Sequence, residues 1–406
     1  MKSQYKLFAE KLFAEKLMVA SAFVLALAAF ALPTAQAQTF SVVYSFTGGS
    51  DGGGPLNGFT VDSAGNLYGT TNSGGTSNYG VVFKMTSAGV ETVLHTFTGG
   101  TDGANPAGGL IRDKSGNLYG ATTAGGASGA GTVYEVTATG VESVLYSFTG
   151  KNDGSDPEAT LAIDSAGNLY GTTVAGGVYS NGVVFRLSPP KKTGGRWMQT
   201  VLYSFGTGTD GAVPVAGVTL GATGNVFGTT SAGGTYGYGT VFELTRSGLT
   251  WTETILHNFA NGDDGSVVYA GLIADKSGNL YGAATQGGNG GGGTIFELTP
   301  SSGTYTFNVL YSVPGWGISG SFRDLMLSAA GVIYGTTHCD GNNNAGTVWE
   351  LTPSAGSWNY TLLYTFTGGT DGLYSFSNLV LEKGKLYGTT NEGGAGNYGV
   401  VFEVTP

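Results

Sequence analysis

Only one cysteine, Cys339, and three histidines occur among 406 residues. One thiol cannot close an internal disulfide, so packing alone must hold the fold, and three scattered histidines argue against a multi-histidine metal centre. Charged residues make up 11% of the chain, proline is scarce at 11 residues, and the apolar run at 17–32 is 16 residues long. That run is shorter than the roughly 20 residues that span a bilayer. Glycine supplies 74 residues beside 40% apolar residues. This is too hydrophobic for a disordered chain and lacks the Gly-X-Y period of collagen, so a turn-dense all-β protein is expected.

The first 37 residues differ from the rest. Lys2, Lys6, Lys11 and Lys16 precede the apolar run, and Ala35-Gln36-Ala37 closes it with the small-x-small pattern of a signal-peptidase site. A signal peptide over 1–37, cleaved after Ala37, is the reading adopted, with an uncleaved anchor as the alternative. Losing those four lysines with Glu10 and Glu15 leaves 13 basic and 25 acidic residues, a net charge of −12. An acidic surface argues against nucleic acid and anionic membranes as partners. A secreted or periplasmic protein without membrane insertion is expected.

The phrase Gly116-Asn117-Leu118-Tyr119-Gly120 recurs, slightly respelled, at Gly65, Gly167, Gly224, Gly278, Gly331 and Gly384, at steps of 51 to 57 residues. Seven such units indicate a propeller, solenoid or array. Around each copy stand four short β-prone segments, at 107–113, 117–123, 132–137 and 142–148 in the second unit. Each unit thus reads as a four-stranded antiparallel meander, numbered from the ring axis outward. Asp62, Asp113, Asp164 and Asp275 precede the phrase in an Asp-x-x-Gly-Asn turn, with the carboxylate accepting local N–H groups. Gly69, Gly120, Gly171, Gly228, Gly282, Gly335 and Gly388 follow the aromatic residue of the second strand, where a ring or backbone must lie close. The alternation Phe242-Glu243-Leu244 predicts that Phe242 and its equivalents pack between sheets.

The ends decide topology. A lone fourth strand at 40–46 opens the repeat region, and a first-to-third set at 377–382, 385–390 and 400–405 closes it. Pairing them completes a seventh blade and removes two exposed edges. The fold predicted is an all-β, seven-bladed β-propeller over 38–406. The run of Val-Leu-Tyr-Ser-Phe, Gly-Gly-x-Asp-Gly, Gly-Asn-Leu-Tyr-Gly-Thr-Thr and Gly-Thr-Val-Phe-Glu-Leu-Thr resembles the Gloeo/Verruco (GloVer) tandem repeat of secreted bacterial proteins. The resemblance implies export and a propeller-like body, sometimes with a C-terminal anchoring segment. It implies no activity and no catalytic residues. With Pro406 just beyond the last strand, a freely secreted or periplasmic product is expected.

In a propeller, the loops from fourth to next first strand share a face with the loops from second to third strand, and here both are Gly-rich. The opposite face carries tight turns and a basic insertion at 189–196. Ligands are expected on the Gly-rich face. Asp51, Asp102, Asp153, Asp210, Asp264 and Asp371 recur there, either as turn stabilisers or as an acidic ring for calcium or sugar hydroxyls. Asp153, Asp156 and Glu158, with Asn152, form the set richest in oxygen ligands. Tyr79, Tyr179, Tyr236, Tyr238 and Tyr398 could stack on sugars or cover the sheet ends. The sixth unit departs from the rest with Trp316 in one loop and His338-Cys339-Asp340 in the other. His338 as base, Cys339 as nucleophile, and Asp340, Arg323 and Asp324 nearby would make one asymmetric site, or the loop has simply drifted. His95 and His257 replace the fourth-strand tyrosine and read as structural. Gly48-Gly49-Ser50-Asp51-Gly52, 206–211 and 288–293 match short catalytic or nucleotide motifs, but no helix follows them.

Three functions remain: a non-catalytic propeller binding glycan or an envelope protein, a secreted carbohydrate-active lyase or hydrolase using the sixth unit, and a structural envelope or matrix component.

Overall fold

The structure is a computed structural model that describes residues 38–192, 194–206, 208–314, 324–341 and 343–406. The chain divides into two units, Met1–Gln38 and Thr39–Pro406. The expected signal peptide lies outside the described residues. Among the described residues all regular structure is β, in seven antiparallel four-stranded sheets arranged as the blades of a propeller. Blades one to six run from 60–96 to 326–365, and blade seven joins residues 380–405 to the N-terminal strand.

That closure is as expected. Thr39–Ser45 pairs antiparallel with Val400–Thr405, matching Phe40 with Val404 and Val42 with Phe402. Val43, expected in the ladder, instead falls in a β-bulge between Val42 and Tyr44. All seven blades carry this bulge between third and fourth strands, for example at Val82/Phe83 and Val241/Phe242. An extra residue there increases local twist.

The first strands are far shorter than the sequence suggests. In blade two only Ile111–Arg112 pair with the second strand, in place of 107–113. The preceding residues bond across the blade boundary instead. Thr70 donates to the Gly108 carbonyl at 3.2 Å, and Thr172, Thr229, Thr336 and Thr389 make the same bond at 2.8–3.0 Å to Ala216, Ala270, Ser377 and Asn57. These threonines are buried, so each unmade bond would cost about 1–3 kcal/mol. The Gly-Thr-Thr stretch therefore ties each of these blades to the next.

Among the described residues seven apolar clusters form, one at each blade boundary. At their centres a fully buried fourth-strand Phe meets the third-strand aromatic of the following blade: Phe46 with Phe83 at 5.3 Å, Phe205 with Phe242 at 5.2 Å. Where Phe is replaced by the smaller Val313, the partner becomes the larger Trp349, so volume is conserved. The repeated glycine lies opposite this aromatic: a Cβ on Gly69 would come 2.9 Å from the Phe83 ring.

Candidate functional site

The two sets of loops do share a face. Among the described residues, short bridges join six interblade loops to the following second-to-third-strand loop, such as Gly53 to Ser73, Ala104 to Ala124 and Leu373 to Glu392. The aspartates on this face are engaged as turn clasps. Asp51 accepts from Thr47 N at 2.8 Å and Tyr44 Oη at 3.0 Å, and Asp371 repeats both bonds with Thr367 and Tyr364. His257 Nε2 takes the tyrosine's place against Asp264 at 3.0 Å, and His95 lies 3.5 Å from Asp102, so both histidines are structural substitutions. On the opposite face, Asp62 collects Ala64 N, Asn66 N, Asn66 Nδ2 and Tyr68 Oη at 2.8–3.0 Å. Burial would raise its pKa, but these donors outweigh it and bring it down to about 2. The recurrent Asp-x-x-Gly-Asn-x-Tyr is thus one hydrogen-bonded unit.

The three carboxylates of the third unit serve three different places. Asp153 accepts from Thr149 N at 2.9 Å and Tyr146 Oη at 2.8 Å. Asp156 occupies a left-handed backbone position (φ 61°), as Asn105 and Gly54 do in their loops, and its N–H donates to the Ala130 carbonyl. Glu158 lines a constriction on the ring axis. Among the described residues, no three His, Cys, Asp or Glu side chains gather as metal ligands.

The tyrosines are half-exposed aromatics in four of the seven blades. Tyr79, Tyr179, Tyr236, Tyr238 and Tyr398 are 39–60% exposed. Tyr398 lies against Gly48 and Gly53 and Tyr79 against Gly99, where a side chain would collide with or crowd the ring, and Tyr179 lies beside Gly206 at ordinary contact distance. One ring face is thereby held on a neighbouring loop.

In the sixth blade His338 and Cys339 are brought together. Cys339 Sγ lies 2.6 Å from His338 Nδ1, while the imidazole stacks on Tyr374 and Phe376 at centroid separations of 4.3 and 4.1 Å. Burial pushes the Cys339 thiol above its ordinary pKa, which disfavours the nucleophilic thiolate. Asp340 turns to its own loop, accepting from Gly341 N at 2.7 Å. Asp324 lines the axial constriction with Asn57, Glu158, Thr160 and Tyr269, accepting from Gly271 N at 2.8 Å. Trp316 and Arg323 lie outside the described residues.

The sequence reading missed two groups. One is the axial girdle, where Asn378 accepts from Gly58 N at 2.7 Å and Thr160 from Gly109 N at 2.9 Å. The other is a set of half-buried acids, Glu91, Glu142 and Glu253, in three of the fourth strands. Each lies against the interblade aspartate of the preceding blade. Their shared register, six residues before the buried Phe, was the available clue. Burial, with the Asp51 and Asp102 charges adding to it, raises Glu91 and Glu142 to about 7.

The profile of the Gloeobacter/Verrucomicrobia repeat matches residues 28–231 and 219–406. No curated protein matches the chain. Among solved structures, two of the extracellular domain of BT4673 from B. thetaiotaomicron superpose with a TM-score of 0.60 at 10% and 11% identity, covering 90% and 91% of this chain. The chain spans 39% and 40% of the length of those proteins. A Bacteroides uniformis structure, provisionally named a 6-phosphogluconolactonase, superposes with a TM-score of 0.50 at 14% identity, covering 80% of this chain and 88% of that one. At such identities the likeness is one of fold.

Proposed function

The chain belongs to the Gloeobacter/Verrucomicrobia repeat family, and from that premise we propose that it is an exported, non-catalytic propeller that binds glycan on its Gly-rich face. The observation that carries this is the set of five half-exposed tyrosines, three of them lying on glycines of adjacent loops. A ring held on one side presents its other side without losing further freedom on binding, and a phenol combines an apolar face with a hydrogen-bonding tip suited to sugars. Repetition around the ring makes the binding multivalent, which offsets weak single contacts. The charged leader with its Ala-x-Ala site supports export. Glycan-array binding by the purified protein, weakened at least tenfold by combined Tyr79→Ala, Tyr179→Ala and Tyr398→Ala, is the expected result. An array with no signal, with and without calcium, would remove the glycan assignment.

A catalytic reading draws on the Cys339–His338 contact. It would require polysaccharide cleavage that disappears in both His338→Ala and Asp340→Asn.

A further inference from the structure

In blades one and two the turn that opens the fourth strand rests on the outer strand of the preceding blade. A Cβ on Gly89 would come 2.7 Å from the Val43 carbonyl oxygen, and one on Gly140 would come 3.8 Å from that of Leu94. In blade three the residue in that register, eight before the buried Phe, is Trp197, and the insertion at 189–196 precedes it. The indole meets Tyr119 edge-on at 6.4 Å. Beside it stands a cleft of about 490 Å³, lined by 144–147 of blade two and by Gly195, Arg196 and Trp197 of blade three. Consecutive strand residues point alternately to opposite faces, so a cleft that touches four in a row follows the strand's edge. The volume lies within the roughly 300–1,000 Å³ of small-molecule sites.

Charge sets this edge apart. Residues 165–209 hold Arg186, Lys191, Lys192 and Arg196 and no Asp or Glu, in a chain with 27 acidic and 17 basic residues. Lys191, Lys192 and Arg196 are exposed, and none of them forms an ion pair among the described residues. The acids of the flanking segments are engaged elsewhere. Asp153 accepts from Tyr146 Oη and Thr149 N, Asp164 from Ala166 N and Asn168 N at 2.9 Å, and Glu142 lies against Asp102 at the boundary before. The cleft thus joins an aromatic wall to uncompensated positive charge on an otherwise acidic molecule, and such a patch concentrates anions.

We propose that this cleft binds an acidic polysaccharide through a carboxylated sugar, with the sugar ring against Trp197 and its carboxylate on Arg196. Lys191 and Lys192 meet the next anionic units of the chain. An indole presents a flat apolar face to a pyranose, and the guanidinium fork matches a carboxylate in two parallel hydrogen bonds. A run of acidic residues in a peptide would meet the cations but bring no sugar ring to the indole. None of the five tyrosines of the Gly-rich face lines this cleft, so the site is separate from that one.

The test is titration of the purified protein with trigalacturonate, beside its methyl ester and triglutamate, by calorimetry at low salt. Saturable binding of trigalacturonate is expected, at least tenfold tighter than that of either comparison ligand and weakened by added salt. Combined Lys191→Gln, Lys192→Gln and Arg196→Gln, all at exposed positions, should weaken it at least tenfold with an unchanged circular dichroism spectrum. Trp197→Phe should keep most of the affinity, and Trp197→Ala should lose at least fivefold. No saturable binding, equal binding of the ester or of triglutamate, or unchanged binding in the folded triple variant would overturn the proposal. Combined Tyr79→Ala, Tyr179→Ala and Tyr398→Ala should leave trigalacturonate binding intact, so the two sites fail separately; its loss there would move the sugar to the Gly-rich face and overturn this one.

Discussion

Six of the seven blade boundaries fall into two kinds, although the strand order at each is the same. At three boundaries the head of a fourth strand carries an acid, Glu91, Glu142 or Glu253, against the Tyr–Asp or His–Asp pair of the blade before. At three others the same position is aromatic. Phe307 stacks on His257 at 3.7 Å, Tyr360 on Tyr311 at 4.8 Å and Phe40 on Tyr364 at 3.7 Å. The remaining boundary has Gln199, whose Nε2 donates to the Asp153 carbonyl.

What distinguishes them is a proton. Tyr203 Oη lies 3.1 Å from both Asp210 Oδ2 and Glu253 Oε2, yet a phenol has one hydrogen to give. The second contact needs a proton on Glu253 itself, and its other oxygen is buried without a partner. Burial raises Glu253 to about 8, with the Asp210 charge adding and the Tyr203 hydrogen bond opposing. The Glu253 joint is therefore held by a neutral carboxylic acid, and an aromatic joint by stacking.

The largest effect is expected from removing Thr39–Ser45, because that strand supplies Phe40 to one kind of joint and Tyr44 to the other. It should abolish cooperative thermal unfolding, and a retained sharp transition would show that the ring does not depend on closure. Next, Phe307→Ala should cost about 3–4 kcal/mol in urea unfolding, equally at pH 7 and pH 9, where burial keeps the His257 imidazole beneath it neutral. A pH-dependent loss would mean that the aromatic joint is not electrically silent.

Glu253→Gln should act oppositely. Raised folded pKa values mean that the acid joints stabilise fully below the unfolded glutamate pKa of about 4.5, a contribution lost as pH rises through about 7 to 8. The variant should gain about 1–2 kcal/mol at pH 9 and little at pH 5. Equal stability of wild type and variant at pH 9 would sink the protonated joint. The smallest change is Gln199→Glu, which converts the neutral boundary and should lose up to about 1 kcal/mol at pH 9 with none at pH 5. At the acid end, carboxylates with lowered pKa such as Asp62 contribute stability above about 4 that is lost as pH falls through about 2.

Much of the ring was legible because local chemistry repeats. The Asp-x-x-Gly-Asn turn, the glycine facing an aromatic, the histidines at tyrosine positions and the closing strand each follow from a few adjacent residues or from one period of the repeat. The first strands were overread because Ala107 to Gly109 adjoins the β-prone Leu110 and Ile111, while its own hydrogen bonds go to side chains of other blades. The sixth-unit cluster was half legible: adjacency places Cys339 on His338, but the loop path takes Asp340 back onto its own turn and Asp324 to the axis.

The amino-acid order by itself determined seven blades, their strand order, the closure and the face on which glycine-rich loops gather, since these depend on short-range patterns counted seven times. Only the tertiary structure decided that second-strand threonines bond across the blade boundaries, and at which boundary an acid meets a tyrosine. Those features arise where residues about 50 positions apart meet across a boundary, and a one-dimensional period carries no information about what faces what.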